Sequence, residues 1–479
     1  MAVVAPLRTT LAGAAALALL AQGAEAARGS DGHVNILFWQ AVSTLNPYLS
    51  SGTKDVEAAA MILEPLAGFD ETGALIPRLA AEIPTSENGG ISADRRAITW
   101  RLKPGLTWSD GSPVTAEDVV FTAGYCMNPD GGCAQLARFE GIETVEAIDP
   151  LTVRIGFSAP KPYPFTAFVG STAPVLQKAQ FTACLGAAAA GCSAQNFAPI
   201  GTGPFRVVDF RTNDVLQLEA NPRFRDPARP VFATATVKGG GDAAGAARAV
   251  METGEIDYAW NTLIPPDLQE TMAAAGRGHF ATGFSTQVER IEVNLTDPSP
   301  ALPEGERATA RHPHPILSDL RVRQALSMAI DRNLLVEIGY GASGRVTCDI
   351  VPAPTLSASG NTGCATQDVE GARHLLDTAG WIDSDGDGIR DKDGRDLRLL
   401  YQTSVNPVRQ NIQALVKGWW NEIGIGVELK AVDGSVFFGG DAGSPDTRQK
   451  FYADVEMYSS SYDGTDPEAY LAQYGCDKA

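Results

Sequence analysis

The sequence predicts an α/β protein built from more than one domain, and three observations carry that reading. The chain has 479 residues, well past the ~250–300 at which a single hydrophobic core stops growing. Its composition is that of an ordinary globular protein, 44% apolar and 20% charged, so disorder is not expected. Strand-like and helix-like segments alternate through the second half, as α/β layers require.

The first residues are not part of that fold. Arg8 supplies a positive start, Leu11 to Leu20 is a short apolar run, and Ala24-Glu25-Ala26 fits a small-x-small cleavage pattern. Residues 1–26 therefore read as a secretory signal peptide. The apolar run is about half of the ~20 residues needed to cross a bilayer, which argues against a membrane anchor. No Cys precedes Cys126, so no thiol stands ready for a lipid anchor. The expectation is a free exported protein.

Mature elements follow in order. Val34 to Trp39 reads as a buried strand ended by the polar loop Ser43 to Pro47, and Asp55 to Leu66 carries helical apolar spacing at Val56, Ala59, Ala60 and Leu63. Ile98 to Leu102 alternates like a strand, Asp110-Gly111 marks a hairpin turn, and Thr115 followed by Glu117 and Asp118 starts a helix with acid in its first turn. Thr152 to Phe157 is another alternating strand. Ile200-Gly201-Thr202-Gly203-Pro204-Phe205 combines glycine turns with a strand; it lacks the lysine and order of a phosphate cradle and reads as a structural crossing. Ala243 to Glu252 is a helix capped by Gly254, followed by the strand Ile256 to Trp260 and, further on, the strand Arg290 to Leu295. Asp297 to Pro315 is a Pro-rich loop. From Ser318 the residues Leu320, Ala325, Leu326, Ala329, Ile330 and Leu334 form one helical stripe, with Arg321 and Arg323 off it. Asn411 to Ile423 repeats the pattern, and Gly424 caps it before the strand Val427 to Ala431.

Charge and cysteines narrow the function. A net charge of −19 argues against nucleic acid, which requires a basic surface, and mildly favours cationic ligands. Seven cysteines in an exported chain read as disulfides, with Cys126–Cys133, Cys184–Cys192 and Cys348–Cys364 as the sequence-close pairs. Cys476 is left over, and the run Gln473 to Ala479 has no evident terminating element, which reads as an interrupted C-terminus.

The candidate constellations are few. Asp383-Ser384-Asp385-Gly386-Asp387-Gly388 resembles the first half of a calcium loop, but Gly394 occupies the position of the closing bidentate Glu. Asp383, Asp385 and Asp387 are a calcium candidate or a solvated acidic turn. His312-Pro313-His314 is a metal candidate without evident further ligands. No H-E-x-x-H or G-x-S-x-G is present, so nothing nominates a catalytic set. Trp260, at a strand end before Asn261, is placed where a side chain can face a cleft. Asp463, before the turn Gly464-Thr465-Asp466-Pro467, is by itself a turn former.

Glu64-Pro65-Leu66 with Asp70, Pro77-x-Leu79-Ala80, the segment Trp100 to Phe121, IGTGPF, Gly254 to Asp257, RVRQALSMAIDR and Asp463 to Pro467 stand in order over some 400 residues. In that order they resemble the bacterial extracellular solute-binding proteins of the peptide/nickel class, family 5. The resemblance implies an α/β fold of the two-lobed periplasmic-binding-protein kind, type II, in its large three-subdomain form with an interlobe ligand cleft. On that fold, 27–63 and 200–293 form the main domain of lobe I, 64–199 an inserted subdomain, and 294–479 lobe II. It implies a periplasmic, non-enzymatic role: capture of peptides for the permease of an ABC importer, by a monomer, with no cofactor. It also implies that Asp463 binds the ligand's α-ammonium. The candidate ligand residues are Asp463 with Tyr462, and Trp260 with Asn261. The alternatives are a non-peptide solute (nickel chelate, haem or oligosaccharide) on the same fold, or an exported hydrolase.

Overall fold

The computed structural model describes residues 29–352, 357–439, 443–461, 466–472 and 474–475. From the N-terminal side run β1 (His33–Phe38), α1 (Thr53–Ala59) and the hairpin of β2 (Ala67–Phe69) and β3 (Leu75–Pro77). Then come β4 (Ala97–Arg101), α2 (Ala116–Met127), β5 (Ile142–Asp149), β6 (Thr152–Phe157) and the short helices α3 (Lys178–Phe181) and α4 (Ser193–Phe197). β7 (Phe205–Arg211), β8 (Val215–Ala220), β9 (Thr234–Gly239), α5 (Ala243–Arg248), β10 (Tyr258–Trp260) and α6 (Pro266–Ala273) complete the first lobe. Its main sheet has the order β10-β1-β9-β8-β7. β10, β1 and β9 are parallel, whereas β8 and β7 join antiparallel. A second, antiparallel sheet, β4-β6-β5, lies within the 64–199 segment. One apolar cluster runs through both, from Phe38 and Trp100 to Phe168, Leu216 and Val237.

Local chemistry explains the element ends. At the start of α2, where the sequence predicts a helix start, Thr115 and Asp118 form a capping box, a device worth about 1 kcal/mol. The helix expected to Leu66 stops at Ala59 because the carbonyls of Met61 and Ile62 turn outward. They accept from Phe205 N (3.1 Å) and Gly203 N (2.8 Å). A Cβ on Gly201 would stand 1.9 Å from the Ile62 carbonyl oxygen, so only glycine admits this approach. IGTGPF is a packing device.

The second lobe follows with β11 (Val288–Val293), α7 (Leu320–Met328), α8 (Arg332–Gly339), α9 (Val369–Thr378), the small hairpin β12 (Asp391–Lys392) and β13 (Arg395–Asp396), and β14 (Arg398–Ser404). α10 (Pro407–Glu422), β15 (Gly426–Val432), α11 (Gly434–Phe437), β16 (Val455–Ser460) and α12 (Glu468–Ala472) complete the described part. The sheet order is β11-β16-β14-β15, parallel except for β11. This sheet begins at Val288, so β11 lies on the second-lobe side of the division expected at 293/294; its six-residue ladder to β16 fixes it there. Helices α7, α9 and α10 cover one face around Trp420, Tyr401, Leu376 and Val416. The single helix expected from Ser318 is two, because Asp331 leaves the stripe to cap the second through Leu334 N (3.0 Å). All three cysteine pairs expected from spacing are closed: Cys126–Cys133, Cys184–Cys192 and Cys348–Cys364.

Candidate ligand-binding cleft

In open α/β sheets ligands bind outside the carboxyl ends of the strands, and here two such ends meet. In the first lobe β1, β9 and β10 finish level, with Phe38 paired to both Trp260 and Gly239. The Phe38 and Trp260 rings stack with centroids 4.8 Å apart. Just beyond, Trp39 donates its indole N–H to the Asn261 carbonyl (2.7 Å). Asn261 adopts φ +53°, a left-handed conformation that asparagine accepts better than most residues.

In the second lobe β14, β15 and β16 finish at Ser404, Val432 and Ser460, and antiparallel β11 begins beside them, with Val288 opposite Ser460. The lobes touch here: Asn406 Nδ2 donates to the Leu263 carbonyl (3.0 Å).

A buried ion pair braces that end of the second lobe. Arg409 Nε and Nη2 donate to the two carboxylate oxygens of Glu289, each at 3.0 Å. Arg409 Nη1 also reaches Ser404 Oγ (2.8 Å) and Nη2 reaches Ser459 Oγ (3.2 Å). Tyr340 adds its hydroxyl to Glu289 at 3.1 Å. Burial, then the Glu289 charge, pushes the Tyr340 hydroxyl well above its ordinary pKa, so it stays a donor. This geometry is bidentate and pre-organised.

A second ionic group lies on the sheet face opposite the helices. Arg290 Nε donates to Glu292 (2.7 Å), and its guanidinium is ringed by Tyr458, Tyr470 and Tyr474 at 5.0, 5.7 and 5.7 Å from the ring centroids. Glu456 stands beside Glu292 in register, 1% exposed. Its Oε1 accepts from Gln402 Nε2 (3.0 Å), whereas Oε2 has no partner among the described residues. Burial pushes the Glu456 carboxyl well above the carboxylate range, opposed in part by Arg448 and reinforced by Glu292.

The predicted residues fall out as follows. Trp260 and Asn261 sit at the first lobe's cleft end. Tyr462 and Asp463 lie outside the described residues; they follow Ser461 immediately beyond the end of β16. His312 and His314 do not converge. His312 meets Glu306 (2.9 Å), while buried His314 spends Nε2 on Asp454 (2.8 Å) and Nδ1 on the amides of Ile316 and Leu317. The oxygens of Asp383, Asp385 and Asp387 lie within 4.8 Å of one another, all exposed, and they accept the amides of Gly386, Gly388, Asp387 and Ile389 in turn. An open recess of about 430 Å³ involves Arg307, Arg398, Tyr452 and Asp454; it lies at the amino ends of β14 and β16, away from the cleft. Sequence reasoning missed Glu289 and Arg409, which stand 120 positions apart; the strand expected over Arg290 to Leu295 begins one residue after Glu289 and gives no sign of the pair.

Two α/β lobes meeting at the carboxyl ends of their strands define the class of two-lobed binding proteins. The profile of the bacterial extracellular solute-binding proteins, family 5 (middle region), matches residues 74–479, and the chain belongs to that family. Its relatives include the oligopeptide-binding protein AppA of Bacillus subtilis, 27% identical over 357 residues, covering 73% of this chain and 60% of AppA. The chain thus spans less than two thirds of that relative's length. Among solved structures, NikZ from Campylobacter jejuni in complex with Ni(L-His) superposes with a TM-score of 0.75 at 22% identity, over 94% of this chain and 81% of NikZ. AppA from Bacillus subtilis in complex with a nonapeptide gives 0.70 at 22% identity, over 90% and 79%. These likenesses establish the fold.

Proposed function

We propose that this chain is the periplasmic receptor of an ABC importer and that its cargo is peptide. A ligand bridges both lobes, stabilises the closed form and is handed unaltered to the permease; such a ligand must bind the closed form better than the open one. The observation that carries the reading is the meeting of the two sets of parallel strand ends; Asp463 follows three positions after the last residue of β16 in the sequence. The name of the relative AppA, an oligopeptide-binding protein, supports peptide as the cargo.

In this reading Asp463 receives the peptide's α-ammonium, Tyr462 flanks it, and Trp260 with Asn261 line the opposite wall. An extended peptide held by main-chain hydrogen bonds tolerates many side chains. A carboxylate suits the ammonium because enclosing that charge costs several kcal/mol unless a counter-charge waits in place. The family is one of binding proteins, which supports a role without turnover, as an exported monomer. Asp463→Ala is expected to weaken peptide binding at least about tenfold, the low end of what truncating one partner of a buried charged pair costs. Calorimetric titration with a binding peptide measures this; an unchanged Kd removes Asp463 from the site.

A further inference from the structure

We propose that the lobes close onto a seat made by two glycines, one from each lobe, whose missing side chains set how far the cleft shuts. The inference rests on the two-lobed receptor reading above. Gly434 opens α11 in the second lobe, and a Cβ there would stand 3.1 Å from Gln40 Cγ and 3.3 Å from Trp39 Cζ3 in the first. Gly52 precedes α1 in the first lobe, and a Cβ there would stand 2.9 Å from the Phe438 carbonyl oxygen in the second. The contacts are reciprocal: each lobe offers a bare backbone to the other.

Backbone conformation does not explain these glycines. Gly52 has φ −77° and ψ 122°, open to any residue, and Gly434 lies in a helical turn. Close approach does explain them. Both sides of the seat are stiff. Gly52 N donates to Ser50 Oγ (3.0 Å), and Ser50 Oγ donates to the buried Asp55 carboxylate (2.6 Å). Trp39 is held by its bond to Asn261. Two polar contacts also join the lobes: Gln449 Nε2 donates to Ser51 Oγ (2.9 Å), next to Gly52, and Lys161 Nζ lies 3.5 Å from Glu468 Oε2. With stiff surfaces on both sides, an added side chain acts as a wedge, and the interlobe angle is what gives. The Phe438 carbonyl is backbone and cannot swing aside, so even alanine at 52 wedges. At 434 the Gln40 side chain can retreat from a methyl group, but a leucine reaches the Trp39 ring.

The test uses the whole chain without ligand, so it is independent of whether peptide is the cargo. Zero-length carbodiimide coupling reports the Lys161–Glu468 distance, and small-angle X-ray scattering reports the spread of the lobes. Parent protein is expected to form the Lys161–Glu468 cross-link. Gly52→Ala and Gly434→Leu are expected to lower its yield at least about threefold, the response of a closed-to-open population shift. The radius of gyration should rise by ~1 Å from about 23 Å. Folding is checked by circular dichroism; because the two variants lie in different lobes, one decides where the other fails to fold. A folded variant with undiminished cross-linking and a superposable scattering curve overturns the proposal, as does a parent that forms no such cross-link. Loss of peptide binding with the seat intact would instead count against the receptor reading.

Discussion

Two buried sites, one in each lobe, handle charge in opposite ways. In the first, Lys54 and Asp55 are both fully buried, with Nζ 2.9 Å from the carboxylate. Every oxygen is saturated: Asp55 Oδ1 accepts from Ser43 N (2.7 Å), Thr44 N (3.3 Å) and Lys54, and Oδ2 from the hydroxyls of Ser43 (2.8 Å) and Ser50 (2.6 Å) and from Lys54. In the second, Glu456 is buried to the same degree but has one oxygen without a partner among the described residues, and burial pushes its carboxyl well above the carboxylate range. A buried charge must be paired or neutralised. The first site pairs its charge and so fixes a loop; at the second the carboxyl pKa is raised, which makes that site sensitive to pH.

The largest expected effect comes from breaking the saturated pair. Asp55→Ala strands the Lys54 ammonium in the core and should cost about 3–5 kcal/mol in urea denaturation. The double change Lys54→Met with Asp55→Leu should recover most of that loss, since apolar replacement of a whole pair is often neutral. A single-variant loss below about 1 kcal/mol would mean that the pair braces nothing. Next, Glu289→Gln keeps the shape but removes the charge opposite Arg409, for an expected loss of about 1.5–3 kcal/mol. Equal stability of Glu289→Gln and parent in the same denaturation would show that the Arg409 hub is ornamental to the lobe.

The smallest effect sharpens the contrast most. Glu456 has a folded-state pKa raised above its unfolded value of about 4.3. Its contribution is therefore complete below that unfolded value and is lost as pH rises through the folded one. The loss is at most about 1.4 kcal/mol per pH unit for one proton. Glu456→Gln cannot ionise, so its melting temperature should match the parent near pH 4 and exceed it progressively towards alkaline pH. Parallel melting curves across that range would remove Glu456 as the titrating group.

The legible parts of this fold are those encoded locally. The start of α2 at Thr115, the turn at Asp110-Gly111, the Gly424 helix stop and the three short-loop disulfides each involve residues within 16 positions of one another. The ends of α1 and of the helix after Ser318 were harder. One is set by carbonyls bonding to residues over 140 positions away, the other by a cap hidden inside an apolar stripe. The positions of two candidate cleft residues were legible. Trp260 and Asn261 announce themselves at a strand end. Glu289 with Arg409, and Gly434 against Trp39, are juxtapositions that only the folded chain creates.

The most direct test of the central claim is native mass spectrometry of the protein incubated with a defined peptide library. The account predicts one-to-one complexes that release peptides of unaltered mass, and loss of those complexes in Asp463→Ala. Shortened fragments after incubation, or no complex with any peptide offered, would contradict it.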